Sequence, residues 1–215
     1  MFGSAQMSIL PAKVAGVKTV IACTPPAQGQ GGYPATINAM KKAGADRIFI
    51  LGGVQAFALM ALGMGVSEPV DILCGAGNKY VAEAKRQLFG RCGIDLLAGP
   101  TEILIIADDE ADPALVACDL LGQAEHDPDS GVCLICMSEG FAQQTIAEVE
   151  SQLKKLPSRD VAEISWRNNG IVILADSPDE AVQISDEYAP EHLELHVEET
   201  DFFFERLTNY GSLFI

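Results

Sequence analysis

The chain has 215 residues, of which 48% are hydrophobic, and its 30 acidic and 14 basic side chains give a formal net charge of −16 at pH 7. This hydrophobic content is enough for one large or two small packed domains, which excludes a disordered chain. An acidic surface repels nucleic-acid phosphates and anionic lipids, so we expect small molecules or protein subunits as partners, with no nucleic acid and no membrane.

In the first half of the chain, short apolar runs alternate with helical patterns. The predicted strands are 17–23, 46–51, 70–74 and 94–98. The predicted helices between them are 34–44, 55–64 and 78–90. A repeated order of strand, helix and strand predicts a parallel sheet with helices on both faces. We therefore expect a Rossmann-like domain over residues 1–98.

The same rhythm restarts after a Gly-Pro pair and predicts a second domain over residues 99–215. The predicted strands are 102–108, 132–137, 171–176, 192–197 and 212–215. The predicted helices are 113–126, 141–156, 159–168, 179–188 and 202–211. The fold class is therefore α/β, with two Rossmann-like parallel-sheet domains. Both ends of the chain lie in apolar segments, so we expect it to be incomplete at both ends.

The cysteines and the N-terminus favour a cytoplasmic protein. No apolar run approaches the roughly 18 residues that cross a bilayer, and no basic segment precedes an apolar one at the start. The six cysteines are scattered singly, which is typical of buried reduced thiols. Cys133 and Cys136 leave a zinc knuckle or a redox pair open, although residues three apart on a strand point to opposite faces.

Gln123 and His126 are candidate metal ligands at the end of a predicted helix. Residues three apart share a helix face, so an amide oxygen and an imidazole nitrogen could supply half of a metal shell. The alternative is a histidine that only interacts with the helix dipole. Asp127 and Pro128 end the helix and place His126 at an accessible edge.

Glu191 and His192 are candidate catalytic residues at a predicted junction between a helix and a strand. A carboxylate beside an imidazole can act as an acid/base pair near neutral pH. Adjacent residues on a strand point in opposite directions, so a purely structural role stays open. His196 shares a strand face with His192, and we expect it at the surface or an interface.

Glycine-rich turns follow three predicted strands, at 52–53, 75–78 and 99–101. Glycines there let a ligand approach the backbone, and the helix N-termini that follow suit phosphate groups. None of them has the GxGxxG spacing, so ordinary turns between strands and helices remain an alternative.

Six segments together resemble the histidinol dehydrogenase family, in its order and at its spacing. They are GGVQA, GAGNKYVAEAK, IDLLAGPTEILIIAD, DLLGQAEHDPDS, EYAPEHLEL and YGSLFI, and the resemblance covers essentially the whole chain. It implies a homodimeric NAD- and zinc-dependent alcohol dehydrogenase of histidine biosynthesis. Such an enzyme oxidises L-histidinol through the aldehyde to L-histidine in two hydride transfers.

The resemblance also assigns roles to residues that match the family's functional positions. Gln55 and Asn78 match residues that contact NAD, and Thr101 matches a residue that contacts the substrate. Gln123 and His126 match two zinc ligands that also contact the substrate. Glu191 and His192 match the acid/base pair, and His192 also matches a substrate contact. The family's aspartate ligand and the partner subunit's glutamate and histidine match nothing in this chain, nor does a tyrosine that contacts NAD. We therefore expect poor zinc binding by the chain alone, and an inactive fragment that keeps only the fold is an alternative.

The substrate has a second candidate. Thr101, Val54 and Ala76 stand where histidine-biosynthetic members more typically have serine, alanine and proline. In this respect the chain looks closer to a subgroup related to sulfopropanediol dehydrogenase, which acts on another primary alcohol. A non-catalytic α/β chain and an acidic interaction module are the alternatives outside the enzyme class.

Overall fold

A computed structural model describes residues 2–27, 31–64, 68–97 and 100–215. The chain divides into two compact units, Met1–Gly99 and Pro100–Ile215. No helix within the described ranges combines the length and the apolar character that crossing a membrane requires.

The first unit contains four helices and four short strands in its described residues. The helices are α1 (Phe2–Val14), α2 (Pro34–Ala43), α3 (Gly53–Leu62) and α4 (Lys79–Leu88). The strands are β1 (Ile21–Thr24), β2 (Arg47–Ile50), β3 (Ile72–Leu73) and β4 (Gly93–Ile94). β1 pairs with β2 and β3 pairs with β4, both in parallel. The predicted parallel pairing is present, but in this part of the structure it forms two separate pairs with strands shorter than predicted.

The limits of α2 show how the sequence defines these elements. Pro34 occupies the first turn, where its missing N–H removes no helical hydrogen bond. Gly44 ends the helix with φ 95°, and its N–H bonds to the carbonyl of Lys41. This left-handed conformation suits glycine, and the predicted end of this helix is confirmed.

The second unit contains one parallel sheet of five strands. The strands are β5 (Glu102–Ala107), β6 (Gly131–Cys136), β7 (Gly170–Leu174), β8 (His192–His196) and β9 (Ser212–Phe214). The helices are α5 (Pro113–Ala124), α6 (Glu139–Leu153), α7 (Arg159–Asn169), α8 (Pro178–Tyr188) and α9 (Thr200–Phe204). The spatial order is β7-β6-β5-β8-β9, which is the doubly wound order 3-2-1-4-5. The α/β class with parallel sheets is therefore confirmed.

Helices cover both faces of this sheet. One face packs against α5, α6 and α7, and the other against α8 and α9. Two interior strands, β5 and β6, are almost fully buried after their first residue. Such continuous apolar strands are typical of parallel sheets that are covered on both sides.

Cys133 and Cys136 lie in the cores on opposite faces of β6. Both are buried and neither forms a disulfide. Burial, and then the charge of Glu102, raises the pKa of Cys133 to about 12. The two thiols therefore cannot share one metal ion, and buried reduced cysteines are the better reading of this pair.

The last predicted helix is shorter than expected. It ends at Phe204 instead of continuing to residue 211. The reason is Asp186, whose Oδ1 accepts hydrogen bonds of 2.9 and 3.0 Å from the backbone N–H groups of Thr208 and Asn209. A side chain that captures these backbone groups competes with helix formation.

Candidate active site

The predicted acid/base residues lie at the amino edge of the five-stranded sheet. Glu102 pairs with Gly131, and His192 pairs with Ser212, so the strands β5, β6, β8 and β9 all begin at this edge. Open α/β sheets usually bind ligands at the carboxyl edge. This candidate site is therefore at the opposite edge from the one that the fold alone would suggest.

His192 is held in one tautomer by the backbone. Its Nδ1 lies 3.0 Å from the carbonyl oxygen of Glu102. A carbonyl oxygen can only accept, so Nδ1 carries the proton and Nε2 of the neutral ring has a free lone pair. The ring also stacks on Phe214, with centroids 6.0 Å apart. The ring is thus fixed with a basic nitrogen available.

Glu191 lies beside this ring. Its Oε2 is 3.8 Å from Nδ1 of His192, and its side chain is 55% exposed. Strand β8 begins only at His192, so Glu191 precedes it and the strict alternation of strand side chains does not apply. The structure therefore brings the two predicted catalytic residues together.

A constrained turn positions Glu191. Ala189 has φ 53°, a left-handed conformation that costs energy for a residue with a Cβ. The carbonyl of Glu191 accepts a 2.8 Å hydrogen bond from the N–H of Ser212. A Cβ on Gly211 would lie only 2.6 Å from that carbonyl oxygen. Glycine at position 211 is therefore required by the close approach of the two chain segments.

Gln123 and His126 lie at the end of α5. Gln123 is 9% exposed, and its Nε2 has no hydrogen-bond partner among the residues that the structure describes. His126 is exposed, and its N–H bonds to the carbonyl of Gln123 at 3.2 Å. An unpaired buried amide nitrogen is costly, so this nitrogen is suited to a hydrogen-bond acceptor that the described residues do not supply.

The direction of α5 indicates where Gln123 lies along the strand β8. Asp119, one turn earlier on the same helix face, lies 3.5 Å from Nε2 of His196 near the carboxyl end of β8. α5 links the parallel neighbours β5 and β6, so it runs antiparallel to the strands. Gln123 therefore lies further towards the amino edge, on the helix face that meets the strand of His192.

The sequence patterns did not identify two residues of this edge, Glu102 and Tyr188. The Tyr188 hydroxyl bonds to Glu102, and burial followed by the charge of Glu102 raises the pKa of Tyr188 to about 12. Both border a depression of about 440 Å³, lined by Pro100, Glu102, Asp129, Gly131, Asn168, Asn169, Ile171 and Tyr188. No local spacing links Glu102 to Tyr188, because they meet only when β5 packs beside β8.

A second cluster joins Asp119, Glu194 and His196. Nε2 of His196 lies 3.5 Å from Asp119 and 3.6 Å from Glu194. Burial, and then Glu194, raises the pKa of Asp119. His196 was expected at the surface or an interface, and its side chain is partly exposed beside these two carboxylates.

The stability of the chain is expected to fall as the pH rises through the His196 titration. The bond to Glu194 and the charges of Asp119 and Glu194 outweigh burial and raise the pKa of His196 above its ordinary value near 6.5. The stabilisation is therefore complete below the unfolded-state pKa and is lost as the pH passes the raised folded-state pKa. Urea unfolding from pH 5.5 to 9 measures it. If the free energy of unfolding changed with pH in the same way in the wild type and in His196→Asn, this prediction would be contradicted. Asp119→Asn should give a pH dependence between those of the wild type and His196→Asn.

The predicted NAD residues lie in the first unit, after carboxyl ends of strands. Gln55 is exposed in the first turn of α3, which follows β2. Asn78 follows β3 and caps α4, with Oδ1 accepting from the N–H groups of Tyr80 and Val81 at 3.2 and 3.3 Å. Such turns suit dinucleotides.

Thr101, the predicted substrate contact, is half-buried immediately before β5 in the second unit. Gly99 of the same turn lies outside the described residues, so the predicted turn is described only from Pro100 onward.

The doubly wound sheet defines an α/β protein, and the imidazole of His192 beside Glu191 is its candidate acid/base site. The family model for histidinol dehydrogenase matches residues 1–215. The chain therefore belongs to the histidinol dehydrogenase family, whose members are oxidoreductases.

Three similar proteins illustrate this membership. A histidinol dehydrogenase homolog from Shouchella clausii is 56% identical over 100% of this chain and 50% of its own length. Sulfopropanediol 3-dehydrogenase from Ruegeria pomeroyi is 47% identical over 99% of this chain and 49% of its own length. The crystal structure of histidinol dehydrogenase from Elizabethkingia anophelis matches with a TM-score of 0.91 and 39% identity, over 99% of this chain and 49% of that one. The chain thus spans about half the length of these relatives.

Proposed function

We propose that this chain is part of a zinc-dependent, NAD-linked alcohol dehydrogenase that oxidises L-histidinol through the aldehyde to L-histidine in two hydride transfers. The observation that carries this proposal is the hydrogen bond from His192 Nδ1 to the Glu102 carbonyl, which leaves Nε2 free as a base. Membership of the family supports the reaction class.

His192 would act as the base of the oxidation. Nε2 accepts the proton of the substrate alcohol, and the charge that then forms on the ring is stabilised by the Glu102 carbonyl at 3.0 Å and by the Glu191 carboxylate at 3.8 Å. Glu191 is exposed and can reach water, so it would activate the water that hydrates the aldehyde before the second oxidation.

Two residues at the end of α5 would supply half of a zinc site. Gln123 and His126 would hold the ion through an amide oxygen and an imidazole nitrogen. The unpaired atom of Gln123 is its amide nitrogen, which does not bind a cation, so this assignment is supported by the match to the family and by the exposed position of His126. A tetrahedral shell needs two more ligands, which would come from protein outside this chain or from substrate. The chemistry that bound zinc and NAD+ supply is polarisation of the alcohol oxygen and acceptance of the hydride.

The remaining roles belong to the first unit and to the assembly. Gln55 and Asn78 would contact NAD, supported by their position at helix starts that follow strands. A cytoplasmic homodimer is the expected form of the longer protein, because the family completes its site across subunits.

A second substrate has support of its own. Thr101 replaces the serine of histidine-biosynthetic members, and a relative at 47% identity is a sulfopropanediol 3-dehydrogenase. One added methyl group beside a substrate hydroxyl changes discrimination by roughly 1–3 kcal/mol, which alters preference and keeps the reaction type. The alternative function is therefore oxidation of a sulfonated diol by the same residues.

Substrate profiles of the longer protein that contains this chain decide between the two. NADH formation would be recorded with histidinol and with sulfopropanediol, each with and without zinc. Faster turnover of histidinol supports the first proposal, and faster turnover of the diol supports the second. No NADH formation with either substrate would overturn both.

Replacement of the buried Gln123 amide is expected to raise the stability of the chain and to lower its zinc binding. Gln123→Leu keeps the volume and removes an unpaired polar group, so the free energy of unfolding of the metal-free chain should rise by about 1–2 kcal/mol. The zinc content of the longer protein should fall, measured by metal analysis. Gln183→Leu is the control, because Gln183 is exposed and bonded to Glu187. Full zinc retention in Gln123→Leu would contradict the ligand assignment.

A further inference from the structure

Lys85 is a buried cation in the first unit. The residue is only 2% exposed, which is unusual for lysine unless its charge is paired. Its Nζ bonds to Oδ1 of Asp95 at 2.6 Å and to the carbonyl oxygen of Gly75, and it lies 5.7 Å from the centre of the Phe57 ring. The proposed chemistry of this protein does not use this ammonium group.

Asp95 completes a clamp on the same glycine. Its Oδ2 accepts a 2.8 Å hydrogen bond from the N–H of Gly75. Its Oδ1, which holds Lys85, also accepts a 2.8 Å bond from the N–H of Leu96. Both backbone groups of Gly75 are thus bound by one ion pair, formed by a residue of α4 and a residue that follows β4.

The clamped glycine begins the turn that leads to the predicted NAD contact. The turn runs over residues 75–78, from the end of β3 to the cap of α4. Gly75 has φ 150°, and a Cβ on Gly77 would lie 2.5 Å from the side chain of Val81. Asn78 is tied at the other end by its bonds to Tyr80 and Val81. The turn is therefore fixed at both ends.

The position of the pair explains why a charge is buried here. Burying an ion pair contributes little net stability, because desolvation offsets the Coulomb attraction. An ion pair does fix geometry, and in this case it fixes a carbonyl and an N–H that no strand or helix holds. Apolar side chains at these two positions could not form a hydrogen bond with either group.

We propose that Lys85 and Asp95 are positioning residues that hold the 75–78 turn in the conformation in which Asn78 contacts the dinucleotide. This inference rests on the proposed use of NAD. Neither side chain needs to touch the cofactor, since both act through the backbone of Gly75.

The test uses the longer protein and three variants. Asp95→Asn removes the counter-charge, and the double variant Lys85→Met with Asp95→Asn removes both charges, so that no unpaired ion destabilises the fold. Glu83→Gln is the matched control, because it breaks an exposed ion pair with Arg86 on the same helix. The readouts are the NADH dissociation constant by fluorescence, the kinetic constants, and amide hydrogen exchange of the 75–78 segment.

The expected result is a loss of positioning in a folded protein. In the double variant, amide exchange over 75–78 should be at least about tenfold faster and the dissociation constant of NADH about tenfold higher, a change of about 1.4 kcal/mol. The KM for NAD+ should rise similarly while kcat stays within about threefold, which a merely structural role would not produce. The control should match the wild type.

Different failures have different meanings. Wild-type affinity for NADH in the double variant would overturn the positioning role and leave the proposed cofactor intact. Faster exchange throughout the first unit, without an excess over 75–78, would also overturn it, because the pair would then only stabilise the fold. If the wild-type protein does not bind NADH, the proposed function and this role both fail.

Discussion

The change His192→Gln in the longer protein is expected to lower kcat by about 10²–10⁴-fold, the usual contribution of a positioned general base. Glutamine can still donate a hydrogen bond to the carbonyl of Glu102, so the strand edge keeps its geometry. It has no group that accepts a proton near neutral pH. The loss should therefore fall on proton transfer, with a far smaller effect on substrate binding.

The matched control for this change is His196→Gln. His196 lies on the same strand and the same face, four residues further on, but it contacts Asp119 and Glu194 instead of the Glu102 carbonyl. It should keep most of the activity. Steady-state kinetics and circular dichroism on both variants provide the measurement. If His192→Gln retained more than about a tenth of the wild-type kcat, the assignment of the base would be wrong.

Leu134→Ala is expected to lower the free energy of unfolding of the chain by about 2–5 kcal/mol. Leu134 lies on the interior strand β6, and its side chain is fully buried in the core that packs against α5, α6 and α7. Removing its branched end leaves a cavity that close-packed neighbours cannot easily fill. Urea unfolding followed by circular dichroism measures the change.

Leu174→Ala is the comparison for this prediction. Leu174 lies on the neighbouring strand β7 and is 50% exposed, so its truncation should cost less than about 1 kcal/mol. Equal losses for the two variants would show that the face of the sheet built around Leu134 is not the core of this unit.

Most elements of the fold could be predicted because they follow from local patterns. A proline in the first turn of α2 and a left-handed Gly44 after it mark that helix without any tertiary information. The end of α9 could not be predicted, because Asp186 captures the backbone of Thr208 and Asn209 from a different helix. Elements thus deviate from the sequence pattern where a distant side chain competes for the backbone.

The candidate site was only partly predictable for the same reason. Glu191 and His192 are neighbours in sequence, so their chemistry could be recognised there, and their geometry stays favourable because β8 starts at His192. Tyr188 and Glu102 could not be linked, since their contact depends on how the strands are ordered in the sheet. Lys85 and Asp95 are only ten residues apart, yet their shared partner, Gly75, precedes both of them.

The strand order also determines when the site can exist. Glu102 and His192 are separated by 90 residues, and their contact needs β5 and β8 side by side. Pairing between such distant segments forms slowly, because a long loop must close first. During synthesis, β5, β6 and β7 can pair before β8 leaves the ribosome. The tautomer of His192 is therefore fixed only after β8 has joined β5, and until then the histidine is present with its ring orientation and tautomer unset.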